Sequence, residues 1–512
     1  MSASSQRGVI DSQEVELKLR VSEAALPALC AHPLFAGAVP CGAGEMETTY
    51  YDTPDCTLRA AGIALRLRRS GDDWRQTVKR TASSAGGLSV RPEWEQPWNG
   101  SFDFSGVADA RVRTILTTSA ATLAPVFVSR VHRETRRHAA AGARIGLMLD
   151  RGDILAGPRR ESLCELELEL EAGAPADLFE FAAQLAVALP LFPDDRSKAA
   201  RGYALLAGEQ PDNGPVCAQP VVLARGQSPL GAFRDLAESC VRQWQGNVWG
   251  ALADPGADPE YIHQLRVALR RLRSLLRLFA PVLPETFVAV WRRRLGDHAR
   301  TLDAARDFDV LCDAVLAPVC VAADDHRETL ARLGAVLEAA RAEARAAAWH
   351  HLEPGIQGRL LLGFMAALHQ LPDPDTRQRR ALVALAQRRL DRARRRVARR
   401  LDAARKGDPA QLHRLRIACK QLRYGLDCCA PLFAPKAVAR YVRALSRVQD
   451  RLGYVHDLDV ARARLPALAA AAGVPAAATL VLDWHAVCYR KQGKRALRDT
   501  AALLAETPPW QR

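Results

Sequence analysis

The 512-residue sequence predicts an α+β chain: a strand-rich first part, then an all-α helical bundle with a two-fold internal repeat. Three observations predict this. Before residue 207, charged and apolar residues alternate with period two, the signature of strands with one face apart from the core. After residue 230 the pattern is Ala/Leu/Arg-rich and helical to the end. Within that second part the sequence matches itself at an offset of 150 residues, which argues for two similar helical units.

Taken in order, Glu14–Arg20 alternates strictly, with charges at even positions and aliphatics at odd ones. Ile63–Arg68 and Cys164–Glu171 alternate in the same way. Ser70–Asp73 and Ala85–Gly87 carry the Gly, Asp and Ser of hairpin connections. Helices are predicted near 22–30 and 175–189. Residues 208–229, rich in Pro and Gly, form the linker, so the domains run 1–207 and 230–512. The repeats cover approximately 230–370 and 380–512. Helical stretches are expected to break at Pro281, Pro284, Pro318, Pro372, Pro431, Pro466 and Pro475.

The net charge of +15 is unevenly placed. Residues 1–210 hold 24 basic against 27 acidic residues, and residues 211–512 hold 48 against 30. The basic excess of the second part calls for a polyanion: nucleic acid, anionic lipid or polyphosphate. Aromatics are sparse there, which disfavours specific single-strand recognition by stacking. The polar Met1–Asp11 has no signal-peptide core, and the Ala-rich runs are too short to span a bilayer. The 12 cysteines fall in no CxxC pair, as in a reducing compartment. The expectation is a cytoplasmic protein with no membrane contact.

Side chains two apart on a strand share a face. Glu14, Glu16 and Lys18 therefore stand together, as do Glu165, Glu167 and Glu169, Arg66 and Arg68, and Thr77 and Lys79. Arg91 shares a face with Glu93 and Glu95. On an open sheet such faces are simply solvated. Several strands of complementary sign read differently, because a closed sheet would bring them together inside. Acidic rows would then hold Mg²⁺ or Mn²⁺, and basic rows phosphate oxygens.

These segments resemble the CYTH, or triphosphate tunnel metalloenzyme, family. The resemblance rests on Glu14-x-Glu16-x-Lys18, Thr49–Asp55, Leu65–Arg68, Thr77–Lys79, Gly87–Glu93, Cys164–Leu170 and Ser197–Tyr203. It implies an eight-stranded antiparallel β tunnel that holds its substrate inside. It also implies metal-side carboxylates at Glu14, Glu16, Glu165 and Glu167, with Glu169 and Asp150 as further candidates. The implied substrate-side cations are Lys18, Arg66, Arg68, Lys79, Arg133 and Lys198, with Arg91 and Arg201 in addition. Arg130 competes with Arg133, since alternation is unclean near 127–136. One glutamate would orient or deprotonate water, and the sequence does not say which. Glu93 and Glu95 read better as partners of tunnel arginines than as metal ligands, and Tyr50 and Tyr51 as packing residues.

In the helical part His263, Arg266, Arg270, Arg273 and Arg277 are spaced 3, 4, 3, 4, one helix face. His413, Arg416, Lys420 and Arg423 repeat the stripe 150 residues on. The pairs Asp307/Asp309 and Asp457/Asp459 read as arginine partners or caps. Arg388–Arg400 covers several faces of a long helix and reads as surface. This half resembles the CHAD domain, a helical domain that binds inorganic polyphosphate, with Lys420 departing from Arg. The two-domain order resembles bacterial inorganic triphosphatases. It implies an acid anhydride hydrolase acting on inorganic triphosphate, with long-chain polyphosphate on the helical half, in the cytoplasm or at polyphosphate granules. The alternatives are a tunnel enzyme for thiamine triphosphate or ATP, and a non-catalytic polyphosphate-binding protein.

Overall fold

A computed structural model describes residues 10–81, 84–140, 142–209, 214–224, 226–253, 258–372 and 381–511. They form two compact units. One comprises Met1–Val216, Gln245–Tyr261 and Glu353–Leu371; the other comprises Cys217–Trp244, Ile262–Leu352 and Pro372–Arg512.

The first unit is a closed antiparallel barrel of eight long strands: β1 (Ile10–Arg20), β2 (Val39–Asp52), β3 (Ile63–Ser70), β4 (Asp73–Arg80), β5 (Leu88–Pro97), β6 (Ala124–Ala140), β7 (Ala143–Ala156) and β8 (Arg159–Ala172). The order around the barrel is β1-β8-β7-β6-β2-β3-β4-β5, and β5 returns to β1 by pairing Glu14 with Arg91 and Leu17 with Leu88. Two short strands, Ser84–Ala85 and Phe192–Pro193, lie on its margins. Closure explains the alternation. Leu17, Leu19, Leu166 and Leu168 point outward yet are fully buried, because helix Pro175–Ala188 lies against β1 and β8. Each such leucine contributes roughly 1.5–3 kcal/mol. The charged residues between them are left facing the lumen.

A helix not anticipated from sequence, Ala110–Ser119, covers the opposite side. It is capped by the Asp109 carboxylate, which accepts from Arg111 N and Val112 N. It packs Val112 and Leu116 on Leu65, Val78 and Trp94. The turn after β2 is held by the buried Asp52, which accepts from Leu58 N, Arg59 N and the Tyr203 hydroxyl. That last bond ties helix Lys198–Ala207 to the barrel. The helix starts at Ser197, whose hydroxyl accepts from Ala200 N, and ends on Gly208 at φ 68. A Cβ at Gly202 would stand 2.2 Å from the Phe127 ring, so only glycine permits this approach.

The barrel unit also takes in two segments from beyond residue 240. Gln245 donates to Pro193 O at 2.9 Å and accepts from Gly86 N at 3.1 Å. Trp249 meets Phe192 edge-on, with the Arg20 guanidinium 4.5 Å above its ring. Helix Pro354–His369 packs on helix Pro175–Ala188 and on the segment that follows it, where a Cβ at Gly358 would lie 1.8 Å from Leu191 O.

The second unit is all helical, and its elements recur at the same offset of 150. Helix Glu260–Leu278 matches Pro409–Cys429, and the 3₁₀ turn Ala280–Val282 matches Ala430–Leu432. Helix Arg327–His350 matches Pro475–Ala505. The copies differ in between. Pro435–Ala471 is one helix with Pro466 inside it, not broken there as expected, whereas in the first copy Glu285–Thr301 ends at Leu302 and Asp303–Val310 runs through a π-helical stretch, Leu311–Leu316, into Ala317–Ala322, so the break expected at Pro318 is absent as well. Leu311, Val315, Leu333, Leu458, Leu465 and Val481 form a core shared by both copies. All twelve cysteines are free thiols. Among the described residues no helix is long and apolar enough to cross a membrane.

Candidate active site

Register brings the charged rows into the lumen. Glu16 lies opposite Glu169, Lys18 opposite Glu167, and Arg133 opposite Asp150, which in turn lies opposite Glu165. The resulting cavity of about 570 Å³ is lined by Glu14, Glu16, Lys18, Arg66, Arg68, Lys79, Arg91, Arg133, Asp150, Glu167, Glu169 and Lys198. Glu165 and Arg201 stand behind this wall: Arg201 bonds Glu161 at 2.8 Å and Glu165 at 3.3 Å. Arg133 is the inward residue of its strand, and Arg130 is exposed and paired with Glu47.

The charges sort into three groups. The first is acidic. Asp150, Glu165 and Glu167 are buried with carboxylate oxygens within 4.8 Å of one another. Lys198 reaches into this cluster, at 2.8 Å from Asp150 and from Glu167, and also bonds Glu165. Arg133 grips Asp150 through two bonds of 2.6 Å and Glu167 through one of 2.7 Å. Burial pushes both glutamates upward. In Glu165 it prevails, while in Glu167 the Lys198, Arg133 and Lys18 cations outweigh it and hold the carboxyl well below its usual range.

The second group is mixed. Glu14 accepts from Lys79 at 2.6 Å and from Arg91 at 2.9 Å. Against the effect of burial, these cations bring its pKa to about 2. Arg91 also bonds Glu16 at 3.2 Å, and Glu16 pairs with Lys18. Glu169 has no such cation bond among the described residues, and burial beside Glu14, Glu93 and Glu16 raises it to about 7.

The third group is basic. Arg66 has a 3.5 Å contact to Glu93 and a hydrogen bond with Tyr50, and Arg68 forms no ion pair among the described residues. The Nε atoms of both are buried without a hydrogen-bond partner. Burial and the neighbouring Arg66 and Arg133 depress Arg68 to about 10. An unsatisfied pair of buried guanidiniums calls for an anion. Glu93 instead pairs with Lys79 at 3.2 Å, and Glu95 with Arg75 at 3.3 Å. Sequence reasoning passed over Asp52 and Tyr203, which anchor the helix bearing Lys198, and Asp195, which bonds Ser84 and Gly87 N beside the lumen. The signal for Asp52 and Tyr203 lay in Thr49–Asp55 and Ser197–Tyr203, segments whose function is tertiary, and Asp195 lies outside both.

In the helical unit the two stripes face each other. The Arg270 guanidinium lies 5.1 Å from the Tyr424 ring, and His413 stacks on His456 at 4.7 Å. Burial, with Arg416, Arg270 and Arg266 nearby, drops Lys420 to about 7. Arg266 bonds Asp303 at 2.5 Å, and Arg423 bonds Gln449 at 3.2 Å. The aspartates serve arginines: Asp307 with Arg464, Asp309 with Arg345 and Asp459 with Arg462.

A closed barrel whose lumen sets buried acids against guanidiniums with buried, unsatisfied Nε atoms is the architecture of a triphosphate tunnel. Residues 12–203 match the CYTH domain family and residues 235–466 the CHAD domain family, and the chain belongs to both, as a CYTH domain followed by a CHAD domain. The inorganic triphosphatase of Haemophilus influenzae is 30% identical over 206 residues, which is 38% of this chain and 55% of that protein. The chain thus spans about half the length of that relative. The CHAD domain from the plant Ricinus communis is 29% identical, with a TM-score of 0.49 over 58% of this chain and 99% of that one. A putative adenylyl cyclase from Hippeastrum, described as having a dominant triphosphatase activity, is 19% identical, with a TM-score of 0.30 over 38% and 97% of the two chains.

Proposed function

We propose that the tunnel hydrolyses inorganic triphosphate to diphosphate and phosphate with Mg²⁺ or Mn²⁺, and that the helical half binds long-chain polyphosphate. The observation that carries the first reading is the pair Arg66 and Arg68, whose Nε atoms are buried and unsatisfied, in the lumen that Asp150 and Glu167 of the cluster Asp150, Glu165 and Glu167 also line. The donor set fits a hard divalent ion, since all its members are carboxylates. Asp150, Glu165 and Glu167 would hold it, with Glu14, Glu16 and Glu169 in the same lumen. When bound, such an ion neutralises phosphoryl oxygens and acidifies a bound water. The chain's own part is to hold the triphosphate by Arg66, Arg68, Lys79 and Lys18 and to keep the chain in line. Glu169, with its raised pKa, suits the acceptor of a proton from water near neutral pH.

The lumen favours a bare triphosphate over a nucleotide or thiamine ester. Its aromatic residues among the described ones are Tyr50 and Tyr203. Tyr50 is stacked on Phe127 at 4.6 Å, and Tyr203 is bonded to Asp52, so neither offers a free platform. The test is phosphate release by the full chain from inorganic triphosphate, ATP, thiamine triphosphate and long-chain polyphosphate, with Mg²⁺, Mn²⁺ or EDTA. Turnover of inorganic triphosphate that requires the metal supports the reading. Equal turnover in excess EDTA overturns the metal requirement, and no turnover with any substrate overturns the reading and leaves a binding protein.

A further inference from the structure

The first helix of each repeat offers a natural comparison. Helix Pro229–Ala253 and helix Ala381–Ala404 share one register at the offset of 150: Ala232 and Leu382, Leu236 and Ala386, Cys240 and Leu390, and Ala251 and Leu401 are all buried. Their other faces diverge. Where the first helix has Gln245, Gly246 and Trp249, the second has Arg395, Arg396 and Arg399; Arg396 and Arg399 line the cavities of this basic face, and Arg395 lines neither of them. In the first copy that face is used by protein, since Gln245 bonds Pro193 and Gly86, and Trp249 meets Phe192. In the second copy the three arginines are exposed. The stripes that face one another are present in both repeats, whereas this basic face is present in one. It is therefore not a by-product of duplication.

The face also has shape. Two adjoining cavities run along it, sharing Arg396 and Gln421. One, of about 600 Å³, lies against helix Pro409–Cys429 and is lined by Arg399, Arg400 and Arg414 as well; the other, of about 250 Å³, reaches Arg277 and Arg389. Neither is lined by a carboxylate or by an aromatic ring among the described residues. Arg396 donates to Gln421 at 2.8 Å, and none of these arginines forms an ion pair among the described residues. Burial and the charges of Arg273, Arg292 and Arg396 hold Arg277 at about 10. From Arg392 to Arg400 the helix rises about 12 Å, so the cations form a track instead of a point. Guanidinium forks along a track match successive phosphate groups. The absence of rings removes the platform that nucleobases need.

We propose that this groove is a second anion site, distinct from the His/Arg stripes, that takes a stretch of condensed phosphate chain. It shares Arg277 at the end of the first stripe but does not depend on the stripe reading, because Arg266, Arg270, Arg416 and Lys420 do not line it. The experiment is calorimetric titration of the full chain with long-chain polyphosphate. The variants are Arg396→Ala plus Arg399→Ala in the groove, Arg388→Ala plus Arg395→Ala on the same helix but outside it, and Arg266→Ala plus Arg416→Ala in the stripes. All four helix positions are exposed, and circular dichroism checks that each variant folds. Loss of two charge-assisted contacts in the groove should weaken binding about tenfold or more and lower the phosphate bound at saturation, while the charge-matched outside pair changes little. Equal losses for the two helix pairs overturn the groove and leave a diffuse field. Competition by single-stranded DNA of matched charge, as effective as polyphosphate itself, overturns the choice of ligand. A silent stripe variant beside an affected groove variant would refute the stripe reading alone, and the reverse would refute the groove alone.

Discussion

Replacing Lys198 by methionine removes the ammonium that bonds Asp150, Glu165 and Glu167 together. Arg133 remains on Asp150 and Glu167, and Arg201 remains on Glu165. Two guanidiniums are then left bonded to three buried carboxylates, and a further cation near them, Lys18 at 3.9 Å from Glu167, is already paired with Glu16. Leaving one buried charge uncompensated costs about 3–5 kcal/mol. For a unit of this size 1 kcal/mol moves Tm by about 2–4 °C, so the metal-free variant should melt roughly 6–20 °C lower. The loss should shrink as pH falls, because Glu165, already raised by burial, takes up a proton and ceases to need a partner. Mg²⁺ should recover more stability in the variant than in the wild type, since the dication then faces three acids with no competing ammonium. Scanning calorimetry of the full chain in EDTA, then in Mg²⁺, reads both effects. An unchanged Tm in EDTA, or an equal Mg²⁺ increment in the two proteins, would refute the view that Lys198 is the internal counter-ion of the acidic cluster.

Arg68→Met should act in the opposite sense on the empty protein. It removes a cation without an ion-pair partner, so the Tm in EDTA should stay level or rise. At the same time KM for triphosphate should increase about tenfold to a hundredfold, for a lost charge-assisted contact of roughly 1.5–3 kcal/mol; a lower Tm with unchanged KM would contradict this. Glu169, raised to about 7, contributes stability that is full below about 4.5 and is lost as pH rises through 7. Glu169→Gln should therefore be more stable than wild type above pH 7 and indistinguishable near pH 4.5, as chemical denaturation across pH will read. Lys420, lowered to about 7, is mostly neutral in the free protein above that pH. Polyphosphate affinity should fall from pH 7 towards 10 with proton uptake on binding, and Lys420→Arg should flatten that dependence in calorimetry. Gly358→Ala places a Cβ 1.8 Å from Leu191 O and should lower Tm by several degrees; an unaltered melting curve would show that helix Pro354–His369 does not support the barrel unit.

The alternation in Glu14–Lys18, Arg66–Arg68 and Glu165–Glu169 is local, because successive strand side chains point to opposite faces whatever the surroundings. That is why the sequence alone determined which residues share a face and the strands-then-helices order, just as self-similarity along the chain revealed the repeat at 150. Which face turns inward was decided by closure of β5 on β1 and by the helix that buries Leu17 and Leu19 on the outside, both long-range events. The choice of Arg133 over Arg130 depended on the register of β6 with β7, which unclean alternation does not encode. Lys198 enters the acidic cluster from a helix outside the sheet, placed there by Asp52, Tyr203 and the missing Cβ of Gly202. No period in the sequence links those residues. The joining of Gln245–Tyr261 and Glu353–Leu371 to the barrel unit was equally invisible, since each segment reads as ordinary amphipathic helix. Composition and periodicity report the environment each residue needs. Only the folded chain decides which distant residue supplies it, because that depends on shape complementarity between surfaces that local sequence does not specify.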